Sequence, residues 1–145
     1  MAPNFALQAG EELVRRDLVS FVSGPLRVRP GVCYLTTQRI VAEHRSLLGG
    51  AMMAASIIAR NLVRKFSQPQ QVEIPLRALT RVSRERYGVN PNVLALHTGG
   101  EPVLKIVMNA RQWRFWMEAL AAVLERQGKR LVADGERAWR VKLRA

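Results

Sequence analysis

The sequence predicts an α+β domain in which antiparallel strands precede a single C-terminal helix. Three observations predict it. Val32 to Val41 places β-branched and aromatic residues on both sides of a polar break at Thr36 to Arg39, which suits two neighbouring strands with a tight connection. Val93 to Thr98 and Pro102 to Met108 flank Gly99-Gly100-Glu101, the clearest hairpin in the chain. From Ala110 onward Trp113, Trp116, Met117, Leu120, Val123 and Leu124 recur at helical spacing.

The 145 residues suffice for one domain with a sizeable core and are too few for two. A hydrophobic content of 48% argues against disorder despite the high charge. The single cysteine, Cys33, sits inside an apolar strand pattern, so neither a disulfide framework nor a metal cluster is expected, and its thiol reads as buried and inert. Met1-Ala2-Pro3-Asn4 lacks the basic region and apolar run of a secretory signal, so a cytoplasmic protein is expected. Lys and Arg number 23 against 11 acidic residues, a net charge of +12. That excess favours a polyanionic partner, a nucleic acid or an anionic membrane surface. Arginine heavily outnumbers lysine, so part of the basicity is compositional background.

In Glu11 to Val22 helical and strand spacings compete, and the pattern does not separate them. Gly24-Pro25 breaks the segment, Leu26 to Arg29 alternates apolar and basic, and Pro30-Gly31 reads as a turn. Leu47 to Ala59 is uncharged throughout, too short for a bilayer span of roughly 20 residues. Leu48, Met52, Ala55, Ile58, Leu62 and Phe66 fall near one helical stripe with Ser56, Arg60 and Arg64 opposite, which predicts an apolar helical insert over 47–66. Val72 to Leu76 and Leu79 to Tyr87 read as strands, and Asn90-Pro91-Asn92 as a turn. Asn109 with Gln112 has capping-box spacing, and Gly128 suits the C′ position of the helix. In the tail, Trp139 to Arg144 alternates strictly apolar and basic, a strand that either joins its own sheet or pairs with another chain.

The wording Tyr34-Leu35-Thr36-Thr37-Gln38-Arg39-Ile40-Val41, followed by Ile74-Pro75-Leu76 and this order of elements over residues 10 to 127, resembles the GRAM and bacterial pleckstrin-homology-like (PH-like) family. The resemblance implies a bent antiparallel barrel of about seven strands, plugged at one end by the C-terminal helix. On that reading residues 1–127 form the PH-like domain, and 128–145 a basic tail with an extra strand. Many members of the family bind acidic lipid headgroups, and Arg39 occupies the family's turn-and-strand position.

No catalytic constellation stands out. His44 and His97 lie in predicted strands without partners at metal-ligand spacing. Glu11 with Glu12, and Asp134 with Glu136, lack the separation that acid–base pairs need. Gly49-Gly50 and Gly99-Gly100 lack the Lys-Ser or Lys-Thr of a phosphate loop. The expectation is a non-catalytic binding or adaptor module, with no cofactor, metal or small-molecule substrate. Its favoured ligand is an acidic phospholipid surface at the inner face of the membrane, or a protein partner. Arg39, Arg60, Arg64, Lys65, Arg81 and Arg84 are the candidate contacts for an anionic ligand; Leu48, Met52, Ile58, Leu62 and Phe66 form the candidate apolar insert. The alternative is a self-associating protein whose insert and tail build a homo-oligomer. Nucleic-acid binding ranks third, because the tryptophans lie on apolar stripes, where core packing is the stronger explanation.

Overall fold

The computed structural model describes residues 5–24, 27–44 and 70–144. The chain runs through β1 (Leu13–Gly24), β2 (Arg27–Thr36), β3 (Arg39–His44), β4 (Gln70–Pro75), a 3₁₀ turn (Leu76–Ala78), β5 (Arg81–Tyr87), β6 (Asn90–His97), β7 (Pro102–Val107), α1 (Ala110–Arg126), β8 (Lys129–Ala133) and β9 (Ala138–Leu143). The nine strands form one antiparallel sheet in the order β4-β3-β2-β1-β7-β6-β5-β9-β8.

That order corrects the expected barrel. A closed barrel gives every strand two neighbours, whereas among the described residues β4 pairs only with β3 and β8 only with β9. Among the described residues the fold is an open nine-stranded sheet with one helix, not a closed seven-stranded barrel. The tail supplies the reason. Arg81, Val82 and Ser83 of β5 face Arg140, Trp139 and Ala138 of β9, so the tail occupies the edge of β5 that a closing strand would need. The segment expected as the insert, 47–66, lies outside the described residues.

One core lies against a single face of the sheet. It draws Val19 and Phe21 from β1, Cys33 and Leu35 from β2, Leu94 and Leu96 from β6, and Trp116, Leu120 and Leu124 from α1. The ambiguous opening segment is a strand, because alternation puts Val19 and Phe21 into this core while Leu18 stays 70% exposed. The helix begins where its cap was expected. The Asn109 side chain accepts from the Gln112 amide at 2.7 Å, and the Gln112 side chain accepts from the Asn109 amide at 3.2 Å. Gly128, at φ +74°, follows it in the left-handed region.

Two turn readings move. Pro30-Gly31 is not a turn but lies inside β2, opposite Ser20 and Val19. The turn expected at Asn90 to Asn92 falls at Gly88-Val89, because Gly88 takes the positive φ of +59°. Asn90 then opens β6, its side chain accepting from the Asn92 amide at 2.8 Å.

Candidate anion-binding face

The expected contact residues part company in the structure. Arg60, Arg64 and Lys65, with the apolar set Leu48, Met52, Ile58, Leu62 and Phe66, lie outside the described residues. Arg39, Arg81 and Arg84 occupy three unrelated settings.

Arg39 is buried and already paired. Its Nε donates to Glu11 at 2.8 Å, its Nη1 reaches Glu73 at 2.9 Å, and its Nη2 donates to the Ala6 carbonyl at 2.8 Å. The guanidinium also stacks 4.9 Å from the Phe5 ring centroid. Burial by itself would raise the Glu11 carboxyl, but hydrogen bonds from Arg39, Thr36 and the Gln8 amide outweigh it and hold the group below its ordinary value. The Glu11 bonds raise Arg39 in turn. This cluster fastens residues 5–12 across the β2–β3 turn, and no donor fork is left for a ligand. Arg84 lies 4.4 Å over the Trp113 ring and donates through Nη2 to the Asn92 side-chain oxygen, while its Nε is buried without a hydrogen-bond partner.

Arg81 differs. Alternation along β9 turns Trp139 and Val141 toward the core side, where Trp139 meets Trp113 at 5.4 Å, and leaves Arg140 and Lys142 on the opposite, outer face. Register then decides what they meet. Arg81 faces Arg140 across β5 and β9, and Arg130 faces Lys142 across β8 and β9. Like charges directly opposed in a sheet destabilise it by roughly 0.2–1 kcal/mol per pair. Only Arg140 has a carboxylate partner, Asp134 at 2.7 Å. The Arg81 Nε is shielded from water with no hydrogen-bond partner.

A cleft of about 520 Å³ opens on this face, lined by Thr80, Arg81, Gly99, Gly100, Arg140, Val141 and Lys142. His97, buried beside it, holds the turn. Its Nδ1 lies 3.0 Å from the Gly100 carbonyl, and its Nε2 lies 2.9 Å from the Ser83 hydroxyl. A carbonyl only accepts, so Nδ1 carries the hydrogen; the one Ser83 hydroxyl proton lies between His97 Nε2 and the Glu85 carboxylate at 3.3 Å. The nearby Glu85 is engaged by Lys105 at 2.9 Å. The arrangement can hold an oxyanion by charge-assisted hydrogen bonds. Its hydroxyl, Ser83, is buried beneath the surface. Among the described residues no three His, Cys, Asp or Glu side chains converge as metal ligands, and no helix is long and apolar enough to cross a membrane.

Sequence reasoning placed Arg81 among the candidates and the basic side of the tail strand in solvent, but it missed Arg130, Arg140 and Lys142 as members of one site. The alternation was the available signal; the pairing of β9 with β5 was not legible in it. A larger, mostly apolar groove of about 880 Å³ lies elsewhere, with Leu18, Val32, Val107 and Met108 in its walls.

No family model matches this chain, and no curated protein does. Among solved structures, the chain is similar to the C-terminal domain of an unknown protein from Leishmania infantum, at 12% identity and a TM-score of 0.46, over 77% of this chain and 86% of that one.

Proposed function

We propose that the protein is a non-catalytic binding module that attaches to acidic phospholipid surfaces through the outer face of β5, β9 and β8. The observation that carries this reading is the two pairs of opposed cations, Arg81 with Arg140 and Arg130 with Lys142, of which Arg140 alone has a carboxylate partner, Asp134, among the described residues. An anionic surface relieves the repulsion that the fold otherwise bears. Each basic residue near such a surface contributes on the order of 1 kcal/mol.

Lipid is favoured over nucleic acid because the aromatic side chain of β9, Trp139, is turned onto Trp113 and offers no exposed stacking platform. Self-association by tail exchange has less support, since β9 pairs on both sides within its own chain.

Co-sedimentation with phosphatidylserine-containing and pure phosphatidylcholine vesicles tests the proposal. Binding is expected only to the first and should fall with salt. Arg130→Glu with Lys142→Glu should weaken it roughly 30-fold or more, at about 1 kcal/mol for each cation removed. Equal binding to both vesicles, or full displacement by duplex DNA at equal charge, would overturn it.

A further inference from the structure

We propose that the cleft between the Gly99-Gly100 turn and β9 is a site for one phosphate monoester group, held by Arg81, Arg140 and Lys142. The inference rests on the basic face being the ligand surface, and it assigns that face a stereochemical preference that charge alone does not supply.

Two independent observations lead there. The first is charge balance. Three cations line the cleft, and Asp134 pairs with Arg140 alone, so among the described residues Arg81 and Lys142 have no carboxylate partner. A phosphate monoester carries about −1.5 to −2 at neutral pH, whereas a diester has no second ionisation to match.

The second is the glycine pair. Glycine is usually kept where φ is positive or where a neighbouring atom would strike a Cβ. Neither holds here. The positive-φ glycines described are Gly10, Gly88, Gly128 and Gly135, and a Cβ built on Gly99 or Gly100 would meet nothing within 4 Å. Nothing within the described chain demands two side-chain-free residues at the rim of a cationic cleft. A ligand that must approach the backbone closely does. His97 serves as a positioning residue, tying the Gly100 carbonyl through its Nδ1–H and so setting the rim against β9.

Such a monoester could come from a lipid headgroup or from a free metabolite, and the experiment separates the two. Binding is measured to vesicles of phosphatidic acid, a monoester, and of phosphatidylglycerol, a diester, at matched zeta potential. Soluble glycerol 3-phosphate serves as competitor and as additive in thermal melts. The wild type should prefer phosphatidic acid by about tenfold, the scale of one charge-assisted hydrogen bond. Gly100→Val, which adds bulk at the cleft rim with no change of charge, at a position where a Cβ meets no atom of the chain, should erase that preference and leave phosphatidylglycerol binding intact. Arg81→Gln should erase it too. Glycerol 3-phosphate that raises the wild-type Tm, but not that of Gly100→Val, supports the cleft even if no vesicle binds, and then the membrane reading fails alone. Equal binding to both lipids in the wild type, with no Tm response to glycerol 3-phosphate, overturns the cleft and leaves the membrane reading standing.

Discussion

The indole N–H of Trp116 donates to the Asp17 carboxylate at 2.7 Å, joining α1 to β1 across 99 residues of sequence. Trp116 is fully buried, and Asp17 also receives Arg15 Nε at 2.5 Å. The helix is therefore held by packing and by one directed bond. Trp116→Ala should cost about 3–5 kcal/mol, seen as a lower midpoint in urea unfolding. Trp116→Phe should retain most of the packing and lose about 0.5–1.5 kcal/mol, because Asp17 gives up the indole N–H but keeps the Arg15 Nε. An unmoved midpoint in both variants would mean that this helix does not close the core.

Glu11 and Arg39 predict a pH dependence. The Glu11 carboxyl is held below its ordinary value of 4.5 in the folded chain. A depressed acid stabilises the fold fully above its unfolded value, and that contribution is lost as pH falls through the folded one. Stability should therefore drop in acid below about pH 4.5, and Glu11→Gln should flatten the part of that slope due to this group. Because the pair is buried, Arg39→Met should cost about 3–5 kcal/mol by leaving Glu11 uncompensated. Chemical unfolding at stepped pH values reads both effects.

Deleting residues 129–145 removes β8 and β9 together. It opens the edge of β5 and strips Trp139 from Trp113. The shortened chain should bind a hydrophobic dye and lose cooperative melting. A fully stable, merely monomeric product would instead mean that the tail serves association only. Trp139→Ala, a milder change, should cost about 2 kcal/mol.

Gly128→Ala should destabilise by about 1–2 kcal/mol, since φ +74° strains any L side chain even though a Cβ there meets no neighbour. A thermal melt of the variant, expected several degrees lower, checks it.

The elements that could be read from the sequence are those settled within a few residues. Asn109 and Gln112 cap the helix by bonds spanning three positions, and its period shows in Trp116, Leu120 and Leu124. The Thr37-Gln38 connection is stabilised locally as well, by the Thr36 hydroxyl accepting from the Gln38 and Arg39 amides. The Glu11 to Val22 segment was undecidable because its apolar residues fit both periods, and only the ladder with β2 on one side and β7 on the other makes it a strand.

What the tertiary structure alone decided is partnership over long separations. Arg39 looked like a ligand contact and proves to be half of an ion pair with a residue 28 positions away. Arg84 lies over a tryptophan of the distant helix. Whether the strands close into a barrel turns on which edge of β5 is free, and the tail settles that by occupying it. Alternation in Trp139 to Arg144 by itself determined that one side of the tail strand would be basic. Its pairing with β5, formed over nearly sixty residues of intervening chain, determined that those charges would face Arg81. Periodicity is a property of one segment, whereas register is a contact between two, fixed by which apolar faces must share the same core.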